Sequence, residues 1–191
     1  EQPCLIGGKK KVLKTSLVCD LALSLGTGTP FLGHFAVPQR TTVAVISGES
    51  GAFTLQETAK RIAHSRGLML STANVLWGFD LPQLANRDHL RALEGLIKNQ
   101  GVGACIIDPA YLALLSGDTQ GRQASNVFDM GPLLREFGDV GRETGCTMIL
   151  VHHVKKSTEN AVPELEDLAF AGFAEWAREW LLIGRRQRYE P

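Results

Sequence analysis

Short, unbroken apolar runs separated by stretches of helical period constrain this chain more than any other feature. The runs are Cys4–Ile6, Thr42–Ser47, Asn74–Trp77, Ala104–Ile107, Thr147–Val151 and Trp180–Ile183. Segments such as ACII and MILV contain no alternating polar residue, which suits strands covered on both faces. Between the runs, Lys14–Leu25, Leu55–Ser65, Asp88–Asn99 and Asn126–Thr144 predict helices. In the last of these Val127, Met130, Leu133, Leu134, Phe137 and Val140 recur at about one helical turn, the mark of one buried face. Strand and helix in alternation predict an α/β fold with a mainly parallel sheet, right-handed crossovers and helices on both faces. Phe31–Val37 reads as a further short strand.

The 191 residues suit one domain, 1–191. Twenty Lys and Arg balance twenty Asp and Glu, so any nucleic-acid site must be a local patch rather than a globally basic surface. Cys4, Cys19, Cys105 and Cys146 are scattered, without a CxxC pair, and read as reduced apolar residues. The longest uncharged stretch, Leu21 to Gln39, holds glycines, prolines and a histidine, which is wrong for a membrane span. The first residues lack the apolar core of a secretion signal. These features lead us to expect a cytoplasmic protein and a domain excised from a longer chain.

The first strand runs into Gly7-Gly8-Lys9-Lys10-Lys11-Val12-Leu13-Lys14-Thr15-Ser16 and a helix follows. Counted from Gly8, the spacing is that of a phosphate-binding loop, with Leu13 where a second glycine belongs. In such a loop backbone N–H groups and a helix N-terminus cradle phosphate, the lysine reaches the terminal oxygens, and the hydroxyl binds Mg²⁺. Gly8 through Ser16 are therefore candidate nucleotide contacts, with a solvated basic turn as the alternative reading of the three lysines. Asp108 ends an apolar strand, where a carboxylate can hold Mg²⁺, but Pro109 follows it and leaves no adjacent carboxylate to serve as a base. Glu49, between glycines in SGESG at another strand end, is the candidate base. His152 and His153 end the strand MILV; one should face the site and the other pack away, because successive strand residues alternate faces. Arg178 and Arg185 flank the last strand and could reach a nucleotide across a subunit interface.

Taken in order, GGKKKVLKTS, VAVISGES, ACIIDP, ILVHHVKK and AREWLLIGRRQRYEP resemble the RecA-like ATPase domain of the RepA and DnaB hexameric-helicase group, with KaiC more distant. The resemblance implies a RecA-like P-loop fold, with ATP and Mg²⁺ as ligands. It places Lys14 on phosphate, Thr15 and Asp108 on the metal, Glu49 as catalytic base, and His152 or His153 as γ-phosphate sensor. Arg178 resembles the RepA-like finger position and Arg185 the DnaB-like one. Loops 116–125 and 155–167 would face single-stranded DNA, making Arg122, Lys155 and Lys156 candidate contacts.

The resulting expectation is an Mg²⁺-dependent ATPase that forms a homo-oligomer, a hexamer among the options, in DNA replication or mobile-element metabolism. Leu13 keeps open a nucleotide-binding regulatory module that hydrolyses little or nothing. A monomeric small-molecule kinase is the third reading.

Overall fold

A computed structural model describes residues 2–115, 123–155 and 162–186. Six strands form one sheet: β1 (Cys4–Gly8), β2 (Thr42–Ser47), β3 (Val75–Gly78), β4 (Val102–Asp108), β5 (Thr147–His153) and β6 (Glu179–Ile183). Their spatial order is β3-β2-β4-β5-β1-β6, and every neighbouring pair is parallel. The helices are α1 (Lys14–Thr27), α2 (Ala52–Ser65), α3 (Arg87–Gln100), α4 (Ala110–Leu115), α5 (Val127–Thr144) and α6 (Phe173–Trp176).

The unbroken apolar runs are explained by the two clusters that sandwich the sheet. Along β4, Ala104 and Ile106 join Ile6, Val43, Val45, Ile149 and Val151 under Val18 and Ala22 of α1. Cys105 and Ile107 point the other way, against Leu93 and Ile97 of α3 and Leu134 and Phe137 of α5. With apolar neighbours on both faces, neither side of the strand can carry polar residues. Helix α2 lies one layer out, its Ala59 and Ala63 packed with Leu23 of α1.

Local chemistry sets the helix ends. The Asn86 and Asn126 side chains accept hydrogen bonds from the backbone N–H groups of Asp88 and Phe128, capping α3 and α5. Pro132 sits inside α5 without ending it.

One expectation needs correction, and two helices come with no expectation from the sequence. Phe31–Val37 forms no strand: a single antiparallel bridge joins Phe31 to Phe35 in a tight loop, and neither residue pairs with the sheet. The apolar run AYLALL is a helix, α4, which packs Ala110, Ala113 and Leu114 into the core; a run that is apolar on nearly every side carries no period to read. The short helix α6 lies between Ala171 and the last strand, where none was foreseen.

Candidate active site

Because all strands run the same way, their C-terminal ends gather at one rim. Gly8 pairs with His153 on one side and Ile183 on the other, and Ser47 of β2 pairs with Asp108 of β4. Open parallel sheets bind ligands at this rim. Gly8 has to be glycine: a Cβ there would meet the Ile183 carbonyl oxygen at 2.7 Å and Val12 Cγ2 at 2.9 Å.

The loop from Lys9 to Leu13 then turns into α1. Leu13 takes the left-handed conformation, φ 64°, that glycine would supply, and Lys11 takes it as well, φ 58°. The branched side chain of Leu13 is accommodated by pointing out of the fold, 74% exposed. It provides no side-chain cap, and the first turn of α1 holds no acidic residue of its own to offset the positive end of the helix. Lys14 is buried, and its ammonium donates to the carbonyl oxygens of Gly8 at 3.0 Å and Lys9 at 2.7 Å. Burial pulls its pKa down, opposed by Asp108 and Glu49.

Across the rim, Thr15 Oγ1 donates to Asp108 Oδ2 at 3.0 Å, joining residues 93 positions apart. Burial pushes the Asp108 carboxyl up, the Thr15 hydrogen bond pulls it down, and the nearby Glu49 charge raises it again. A buried carboxylate beside a hydroxyl is a hard-oxygen pair of the kind Mg²⁺ selects, and a cation there would offset the cost of burying the charge. Gly8 through Ser16 and Asp108 thus fit a nucleoside triphosphate with its metal. Lys10 and Lys11 are solvent-exposed on the same loop.

Glu49 stands on the exposed turn after β2 and accepts a 2.6 Å hydrogen bond on Oε1 from the Tyr111 hydroxyl of α4. Its charge acts on Lys14, Asp108 and His153, which places it beside the phosphate loop. The histidine pair divides as the alternation of a strand requires. His152 is buried, its Nε2 bonded to the Ala169 carbonyl at 2.7 Å and its ring stacked on Phe173 at 4.2 Å. Burial lowers its pKa to about 4. His153 turns to the rim, its ring 5.7 Å from that of Tyr111. Burial, then the Lys14 charge, lower its pKa. His152 therefore packs into the core behind the rim, and His153 is the histidine whose ring reaches Tyr111 there.

The arginines also separate. Arg185 Nη2 donates to the Lys11 carbonyl oxygen at 2.9 Å, inside the phosphate loop of its own chain. Arg178 lies at the opposite rim, its N–H bonded to Pro3 O at 2.9 Å beside the Cys4–Glu179 pair, and lines a cavity of about 470 Å³ with Arg135, Arg142 and Trp176. Its own chain's loop is out of its reach by the length of a strand. Arg122 and Lys156 lie outside the described residues, as do residues 116–122 and 156–161 of loops 116–125 and 155–167. Lys155 is described, and its ammonium donates to the Glu166 carbonyl at 2.8 Å. Tyr111 was missed by sequence reasoning; its one signal was a tyrosine three residues beyond a strand-ending Asp.

The model of the AAA domain family matches residues 1–159, most of the chain. The chain belongs to the AAA domain family. No curated protein matches it significantly. Among solved structures, a KaiC-like protein from the hyperthermophilic archaeon Pyrococcus horikoshii OT3 superposes with a TM-score of 0.56 at 15% identity, covering 95% of this chain and 70% of that one. That likeness establishes for this AAA domain a RecA-like α/β fold. Family and fold together make it a nucleotide-binding domain of the ATPase type. Among the described residues no helix is long and apolar enough to cross a membrane.

Proposed function

We propose that this domain binds ATP with Mg²⁺ at the rim formed by Gly8–Ser16 and Asp108 and hydrolyses it with Glu49 as the base. The observation that carries the reading is the Thr15–Asp108 hydrogen bond. It brings the hydroxyl after the loop lysine against a strand-ending carboxylate, the two oxygens needed to hold a triphosphate-bound cation. Bound there, Mg²⁺ would supply positive charge to the phosphate oxygens.

The remaining steps belong to the chain. Lys14 is free to exchange two backbone carbonyls for phosphate oxygens, since among the described residues its ammonium is held by those carbonyls and by no carboxylate. The N–H groups at the start of α1 receive the negative charge. Glu49 orients a water and takes its proton, and His153 donates to the terminal phosphate. Sharing of the site between copies rests on Arg178. Its place at the far rim suits an arginine that reaches a neighbour's nucleotide rather than its own, which favours a homo-oligomeric ring. A role in replication or mobile-element DNA metabolism, with single-stranded DNA along loops 116–125 and 155–167, is the finer reading.

A second reading, a regulatory module that binds nucleotide without turnover, is favoured by the left-handed Leu13, which loads the loop with strain that glycine would avoid.

ATP binding and hydrolysis, with Mg²⁺, measured on the wild type, Lys14→Ala and Glu49→Gln separate the two. Binding lost in Lys14→Ala, with hydrolysis lost but binding kept in Glu49→Gln, supports the ATPase. Wild-type binding without turnover supports the regulatory module. Stimulation by single-stranded DNA, and assembly on gel filtration with nucleotide, test the finer reading; a monomer that turns over ATP removes the ring.

A further inference from the structure

Glu49 sits on an exposed glycine-flanked turn, where nothing in its own segment fixes a side chain with three rotatable bonds. Among the described residues the Tyr111 hydroxyl is its one hydrogen-bond partner, at 2.6 Å. Tyr111 is well placed to act as a fixed donor. It follows Asp108 by three residues on α4, a helix anchored in the core through Ala110, Ala113 and Leu114. Its ring is also braced against His153. One phenol thus links the strand ends of β2, β4 and β5.

We infer that Tyr111 is a positioning residue for ATP hydrolysis: its hydroxyl holds Glu49 Oε1 so that Oε2 is presented to the attacking water. The inference rests on the ATPase reading of the same rim. A carboxylate has two oxygens, and a donor on one of them fixes the plane of the group while leaving the other free to accept a proton. The hydrogen bond is of the charge-assisted kind, and it keeps the phenol protonated, its pKa pushed up to about 12. Tyr111 touches no phosphate and exchanges no proton with water; it acts through Glu49.

Tyr111→Phe keeps the ring and its contact with His153 and removes only the hydroxyl. The expected result is a fall in kcat of roughly 10-fold or more, with KM for ATP and ATP affinity unchanged. Added to Glu49→Gln, Tyr111→Phe should cause no further loss, because both act through one carboxylate. A second measurement needs no Tyr111 variant: phenolate absorbance against pH, where the Tyr111 transition should fall toward the ordinary tyrosine range in Glu49→Gln. Tyr111 and Tyr189 are the two tyrosines in the sequence, so measuring in a Tyr189→Phe background isolates the Tyr111 transition.

If the wild type does not hydrolyse ATP, the ATPase reading fails and this inference with it. If hydrolysis needs Glu49 but Tyr111→Phe keeps full kcat, or loses ATP affinity as much as kcat, the ATPase stands and the positioning role is overturned. A Tyr111 transition that does not move in Glu49→Gln overturns it as well.

Discussion

Arg185 donates from Nη2 to the carbonyl oxygen of Lys11 at 2.9 Å, so the residue two positions past the last strand holds the phosphate loop of its own chain. A loop carbonyl held by a guanidinium is restrained from swinging toward an incoming phosphate. Arg185→Ala should weaken ATP binding a few-fold, the effect of one exposed hydrogen bond. Titration of a fluorescent ATP analogue into dilute protein measures it. An effect that appears only at concentrations where copies assemble would assign Arg185 to the neighbour's nucleotide instead.

Leu13→Gly should make the protein more stable. A left-handed non-glycine residue costs roughly 1–2 kcal/mol, and the added chain entropy of glycine returns about 0.5–1 kcal/mol of that. The exposed Leu13 side chain leaves little packing to lose. A net gain of roughly 0.5–1 kcal/mol in urea unfolding is expected. A loss would mean that the leucine covers apolar surface.

Arg66 should be among the most sensitive residues away from the rim. Its guanidinium binds Asp20 Oδ1 at 2.6 Å, Ser24 Oγ at 2.8 Å, Thr29 Oγ1 at 2.7 Å and the Pro30 carbonyl at 2.7 Å. The ion pair is largely shielded from solvent. Arg66→Ala leaves Asp20 charged and poorly hydrated and should cost about 3 kcal/mol. Chemical denaturation reads the loss, and adding Asp20→Asn should recover part of it.

Acid should destabilise the fold through His152. Its pKa falls from the usual 6.5 to about 4 in the folded chain, so between those values the unfolded chain binds the extra proton. Stability is then full above about pH 6.5 and lost as pH falls toward 4, by about 3 kcal/mol from this group. His153, shifted in the same direction, adds to the slope. Urea midpoints measured from pH 7 to pH 4 on the wild type and on His152→Gln check this: the variant starts less stable but should show a flatter dependence. Equal slopes would mean that carboxylates, not His152, govern the acid limb.

The sheet and most of its helices were legible because strands covered on both faces leave unmistakable apolar runs, and because α2, α3 and α5 keep a helical period. Chemistry at strand ends was legible for the same reason: once the runs are placed, Gly8, Glu49, Asp108 and one of His152 and His153 must share a rim. Leu13 broke the sequence pattern but not the backbone path, since a leucine facing solvent can be held in the conformation glycine prefers. Which histidine faces the rim could not be read from HH alone, as it depends on Phe173 and Ala169, twenty-one and seventeen positions downstream of His152. The Tyr111 bond to Glu49 spans 62 positions and leaves no spacing in the sequence to find. The cis or trans action of Arg185 was equally hidden, because it turns on where one loop carbonyl points.

The pairing of β1 with β6 has a mechanical meaning. These two strands are neighbours, run parallel, and match residue for residue from Cys4–Glu179 to Gly8–Ile183. Tension applied between the segment entering β1 and the segment leaving β6 pulls the two strands past each other along their axes. Their hydrogen bonds are then loaded together in shear rather than opened one at a time like a zipper. Load along the sheet would be shared by the whole ladder, and the strand that carries it ends two residues before the arginine bound to the Lys11 carbonyl.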